Sequence, residues 1–158
     1  MEVKVKIINK EIPTQIQSYA KHGDAGIDLI ATSKTFDEYG NVVYGTNLAF
    51  EIPFGYVGLL FPRSSNAKKD LLNTNSVGIL DSGYRGEVMM KYKKHLNIKS
   101  NHTGNFDLLE AESDLKDYEI GDRIGQLIIL PYPQIKLVES DELSETERGT
   151  GSYGSTGK

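Results

Sequence analysis

A chain of 158 residues has room for one domain, since single hydrophobic cores serve roughly 100–150 residues, and with no Cys it excludes a disulfide framework, thiolate zinc sites and Cys nucleophiles. Eighteen basic against twenty-two acidic residues leave a net charge of −4, the opposite of the basic surface that duplex nucleic acid selects. No apolar run reaches the ~18 residues of a membrane span, and charges at every second or third position from Met1 to Lys10 are unlike a signal peptide, so a soluble, cytoplasmic protein with no membrane and no nucleic-acid partner is expected.

Val3 to Ile7 alternates apolar and charged side chains, the period of a half-buried strand. Further apolar or β-branched runs follow at Gly26–Ala31, Val42–Tyr44, Tyr56–Phe61, Val77–Leu80, Val88–Tyr92 and Ile124–Leu130, each fenced by Gly, Pro, Asn, Asp or Ser. Many short strands with turn punctuation predict an all-β domain of jelly-roll or barrel type. Only Ala67–Leu72 and Leu108–Lys116 read as helical, too short for βαβ units. Pro131 and Pro133 close the last strand, because proline has no amide for the ladder. Between Glu139 and Glu147 five of nine residues are acidic, and Arg148–Lys158 holds four Gly and four Ser or Thr, a composition that predicts disorder. Sixteen Gly, about 10% of the chain against a usual ~7%, are unevenly placed.

The three histidines, His22, His95 and His102, form no His-x-x-x-His pair, so the sequence offers no zinc site. Neither a Gly-x-Ser-x-Gly elbow nor a Walker A loop is present, because Gly157-Lys158 ends the chain with no Ser or Thr and no helix after it. Pro62-Arg63-Ser64-Ser65-Asn66 follows an apolar strand and precedes a short helical stretch. It can cradle an anion with amides, hydroxyls and a guanidinium, although a Ser or Asn cap beside a surface Arg is the plainer reading. Asp81 to Glu87 separates two strands and, taken alone, is a hairpin turn. Gly78, Gly83 and Gly86 around it would let backbone approach a flat ligand, with Asp81 and Tyr84 projecting.

Taken in order, five segments closely resemble the signature motifs of the homotrimeric dUTPases. They are Ala25-Gly26-Ile27-Asp28-Leu29-Ile30-Ala31, Pro62-Arg63-Ser64-Ser65, Gly78 to Glu87, Gly121-Asp122-Arg123-Ile124-Gly125-Gln126-Leu127, and Arg148 to Gly157. The resemblance implies a β jelly roll over residues 1–147, a threefold trimer whose active sites draw on all three subunits, and a lid at 148–158. It also implies hydrolysis of dUTP to dUMP and pyrophosphate, with Mg²⁺ held on the triphosphate.

The roles it implies are chemically coherent. Asp81 would deprotonate the water that attacks the α-phosphorus in line. Tyr84 would lie where a ribose 2′-hydroxyl would go, and Asn75 with backbone around Gly78 would pair with the uracil edge. Arg63, Ser64, Ser65 and Gln126 would hold the α- and β-phosphates. Asp28 would act through water on the metal or by orienting its neighbours, so no direct protein ligand to Mg²⁺ is expected. Asp122 and Arg123 would serve a turn or an ion pair. Arg148 would bind the γ-phosphate, Tyr153 would stack over uracil, and amides near Gly154 and Ser155 would close on the triphosphate.

The chain departs from the family pattern at Ser65, Gly83, Ser152 and Tyr153, and is longer than most members between Glu87 and Gly121. The extra stretch, about Lys93 to Asp117, is basic in its first half and acidic in its second. It reads as a solvated excursion or as a surface for a regulatory protein partner, as in phage-encoded members with an insert here. The nearest rival, a dCTP deaminase of the same fold, typically lacks the fifth motif.

Overall fold

The computed structural model describes residues 1–69, 71–94, 99–100, 106–107 and 117–151. In chain order the strands are β1 (Lys4–Ile7), β2 (Ile27–Ile30), β3 (Ser33–Phe36), β4 (Val42–Gly45), β5 (Leu48–Glu51), β6 (Tyr56–Phe61), β7 (Leu71–Asn73), β8 (Gly78–Leu80), β9 (Met89–Lys94), β10 (Lys99–Ser100), β11 (Phe106–Asp107) and β12 (Arg123–Pro131), with one 3-10 helix at Ser64–Lys68. One four-stranded sheet runs β2-β12-β6-β8 and another β3-β4-β9-β7; β1 pairs with β5, and β10 with β11. All the pairings are antiparallel, and the all-β expectation holds.

Inward side chains of the two large sheets make one core. Leu29, Leu60, Ile124 and Leu127 enter from the first, and Val42, Tyr44, Met90 and Tyr92 from the second. The alternating burial of Met89–Lys94 puts Met90 and Tyr92 inside and their neighbours outside, as the period of two requires. The Tyr92 hydroxyl donates to the Ile124 carbonyl and ties the sheets together. Among the described residues no helix is long and apolar enough to cross a membrane.

Three local expectations change. The helix expected at Ala67–Leu72 is a 3-10 helix at Ser64–Lys68, with Asn66 and Lys69 amides donating to the Arg63 and Asn66 carbonyls. Leu71 instead joins β7 and is buried, because burial in a sheet outweighs a weak helical preference. Asp81–Glu87 is no hairpin turn: β8 and β9 lie in different sheets, so the segment crosses between them, keeping a tight turn in which the Tyr84 amide donates to the Asp81 carbonyl at 3.0 Å. Strands β3, β5, β7, β10 and β11 lie outside the expected runs. The helix expected at Leu108–Lys116 lies outside the described residues.

Beyond β12 the described chain, to Gly151, forms no further strand or helix. Its apolar side chains Ile135, Leu137, Val138 and Leu143 are each at least three-quarters exposed, from 76% to 89%.

Candidate active site

The β2-β12-β6-β8 sheet collects four of the five motif segments. Gln126 of β12 stands opposite Asp28 of β2 on one side and Phe61 of β6 on the other, and directly opposed antiparallel residues share a face. Phe61 leads through Pro62 into Arg63, which is still extended (φ −81°, ψ 158°) as the 3-10 helix begins.

At this end of the sheet Asp28 holds two arginines. Its Oδ1 accepts from Arg63 Nε at 2.7 Å, and its Oδ2 lies 3.3 Å from Arg123 Nη1. Asp28 and Arg63 side chains are only 18% and 29% exposed, so the pair is shielded enough to fix the guanidinium. Two guanidiniums around one carboxylate leave a local positive charge, suited to an anion. Both carboxylate oxygens of Asp28 thus face guanidiniums. Arg63 Nη1 also donates to Ser65 Oγ at 3.4 Å, while Ser64 is exposed. Gln126 Nε2 donates to the Pro62 carbonyl at 3.2 Å. Its amide fits because residue 26 is glycine: a Cβ there would sit 2.5 Å from Gln126 Oε1. Asp122 shapes the turn into β12, its Oδ2 accepting from the Glu119 amide at 2.9 Å. Among the described residues no three of His, Asp and Glu converge as a metal site.

Elsewhere on the sheet a hollow of about 310 Å³, at the small end of ligand sites, is lined by Asn75, Gly78, Asp81, Tyr84 and Glu87 over a floor that includes Leu60 and Val88. Asp81 is exposed at its edge. The Tyr84 hydroxyl donates to the Glu87 carbonyl at 3.1 Å, folding the ring back over Gly86, where a Cβ would come within 2.6 Å of Tyr84 Cζ. Glu87 in turn anchors the crossing: its Oε1 accepts from the Asn47 amide at 2.7 Å, and Asn47 holds the left-handed conformation, φ 57°. Sequence reasoning included Glu87 in a motif but gave it no task, since its partner is 40 positions away.

The two clusters do not meet within one chain. Leu60 pairs with Gly78, Arg63 lies three residues beyond Leu60, and Asp81 lies three beyond Gly78 in the opposite direction. At the strand rise they are separated by roughly 20 Å. Arg148 is exposed on the arm after β12, its Nε donating to the Gly151 carbonyl at 3.1 Å. Tyr153, Gly154 and Ser155 lie outside the described residues.

A family model described as dUTPase matches residues 12–157. The deoxyuridine 5'-triphosphate nucleotidohydrolase of Nautilia profundicola is 38% identical over 160 aligned positions, covering all of both chains. That of Bifidobacterium longum is 35% identical over 158, covering 99% of this chain and 90% of the relative. Among solved structures, the dUTPase of Staphylococcus bacteriophage 80alpha with dUPNHPP superposes with a TM-score of 0.75 at 28% identity, covering 99% of each chain. A mutant dUTPase from phage phi11 of S. aureus, studied for its coordination of a structural Mg(II) ion, superposes with a TM-score of 0.66 at 25% identity over 90% of this chain and 98% of its own. With a jelly-roll fold and a family match over nearly its whole length, the chain belongs to the dUTPase family.

Proposed function

We propose that the protein hydrolyses dUTP to dUMP and pyrophosphate, and that each active site is completed by neighbouring copies in a homotrimer. The observation that carries the reading is the hollow in which Asn75, Gly78, Asp81 and Tyr84 meet, one group each for base recognition, close backbone approach, water activation and sugar discrimination. The Asp81 carboxylate takes a proton from water as the water oxygen bonds to the α-phosphorus, and the bond from that phosphorus to the bridging oxygen of the β-phosphate breaks, releasing pyrophosphate. Asn75 and backbone near Gly78 read the uracil edge, and the Tyr84 ring fills the space a 2′-hydroxyl needs. Arg63, Ser64, Ser65 and Gln126 hold the α- and β-phosphates, with Asp28 and Arg123 fixing Arg63 and its surroundings.

Mg²⁺ carried on the triphosphate as part of the substrate would lower the charge that these groups must counter. Both Asp28 oxygens already face guanidiniums, so Asp28 is assigned to the arginines. Residues 148–158 are assigned as the lid: Arg148 on the γ-phosphate, Tyr153 over uracil, amides of Gly154 and Ser155 on the phosphates. A cytoplasmic setting goes with this chemistry.

Two features support assembly: the separation of roughly 20 Å between Asp81 and Arg63, too far for both to serve one α-phosphate, and the uncovered apolar side chains of the arm that carries Arg148. The test measures pyrophosphate release with dUTP, UTP, dCTP and dTTP in parallel, with light scattering for the trimer. Release from dUTP alone, lost by orders of magnitude in Asp81→Asn while nucleotide still binds, is expected. Ammonia from dCTP would favour the deaminase reading, and near-normal turnover in Asp81→Asn would remove Asp81 as base.

A regulatory protein partner at residues 93–117 is a second part of the proposal. It is favoured by neighbours studied as phage dUTPases that control transfer of virulence genes by a proto-oncogenic G protein-like mechanism. Deleting residues 95–116 is expected to spare dUTP turnover and abolish capture of such a partner; retained capture excludes that surface.

A further inference from the structure

The 3-10 helix that presents Ser64 and Ser65 buries none of its own side chains, and no side chain caps its amino end. A segment with no stake in the core keeps its position only if something in the core reaches out to it. Tyr118 does so. Its ring is 3% exposed and packs edge-on or tilted against Tyr44 and Tyr92, with centroids 5.8 and 5.7 Å away. Its hydroxyl donates to Asn66 Oδ1 at 3.1 Å. Burial pushes the phenol above its ordinary value, so it stays protonated and a donor at neutral pH. Asn66 passes the constraint on: its Nδ2 donates to the Leu71 carbonyl at 2.8 Å, and its amide to the Arg63 carbonyl at 2.9 Å. Lys69 secures the far end, with Nζ 4.9 Å above the Tyr118 ring and 3.1 Å from the Asp117 carbonyl. Asp117 is itself fixed by Lys94 at 3.1 Å and Lys34 at 3.7 Å.

We propose that Tyr118 is a positioning residue for the phosphate-holding segment, setting through Asn66 where Arg63, Ser64 and Ser65 stand. It acts through Asn66 and touches no substrate. The inference rests on the reading of those three residues as phosphate contacts.

The test is Tyr118→Phe in the full chain, which keeps the ring in the core and removes only the hydroxyl. Dissociation constants are measured for a non-hydrolysable imido analogue of dUTP with Mg²⁺, and an inhibition constant for deoxyuridine, which has no phosphate. The analogue is expected to bind about fivefold more weakly, the effect of one lost hydrogen bond, while deoxyuridine is unaffected. Asn66→Ala is expected to show the same split, and the double variant less than the sum of the two, as coupled partners do. Equal weakening of both ligands, or a lowered melting temperature with unchanged analogue binding, overturns the inference and leaves Tyr118 a core residue. If the parent chain turns over dUTP and loses analogue binding with Arg63→Ala, but Tyr118→Phe does nothing, only this inference falls. If the parent chain neither binds the analogue nor turns over dUTP, the substrate reading falls with it.

Discussion

Replacing Gly86 by Ala tests the wall that Tyr84 is proposed to set between deoxyribose and ribose. Gly86 does not hold a left-handed φ, so its backbone accepts a Cβ, and the perturbation falls on the Tyr84 ring alone. The new methyl would lie 2.6 Å from Cζ, short of an ordinary carbon contact by about 1 Å. With Tyr84 43% exposed, the ring has open solvent to swing into. It then loses its hydrogen bond to the Glu87 carbonyl, a net ~0.5–1.5 kcal/mol, and vacates the space a 2′-hydroxyl would need. Steric discrimination over a single small group is worth ~1–3 kcal/mol, so opening the wall should cut the preference for dUTP over UTP by about tenfold. The assay is kcat/KM for both nucleotides by pyrophosphate release, with a melting curve as control for folding. A preference within about twofold of the parent value, in a folded protein, would refute Tyr84 as the discriminating wall, as would equal losses for both nucleotides.

Asp28→Asn removes the carboxylate that fixes Arg63 and Arg123 and should raise KM for dUTP about tenfold through loss of a charge-assisted contact; an unchanged KM would show that the arginines keep their places unaided. Asp37 gives a pH signature. Hydrogen bonds from the Asn41 side chain first, and also from the Asn41 and Tyr39 amides and Lys91, hold its carboxyl well below the usual range. A depressed folded value stabilises above the unfolded value of about 4 and is lost as pH falls below it. The melting-temperature gap between parent and Asp37→Asn should therefore be full at neutral pH and shrink below about pH 4; a gap independent of pH would refute the assignment.

What could be read in the sequence was what local pattern encodes. Tyr56–Phe61 shows itself as an apolar run between a glycine and a proline. Ser33–Phe36 shows nothing, because its strand is stabilised by pairing to β4 rather than by an apolar run of its own. Leu71 looked helical beside Lys68 and Lys69, until the second sheet supplied a buried place for it. The residues proposed for water activation and sugar discrimination show as motif composition, since Asp81 and Tyr84 sit within one short segment. What joins motifs to each other and to the core was not: the Tyr118 to Asn66 bond spans 52 positions, and the ladder pairing Gln126 with Asp28 exists only once β12 has inserted between β2 and β6.

The opposed placement of Asp81 and Arg63 on one sheet has a consequence for how the protein behaves as a population. If each site is completed between copies, as proposed, a lone folded chain would present Asp81 and Arg63 to different neighbours and would not turn over substrate by itself. Output would then follow the abundance of assembled copies and rise more steeply than the amount of protein made. Sparse chains would stay silent, and the onset of activity would be a threshold in expression level set by the register of β6 and β8.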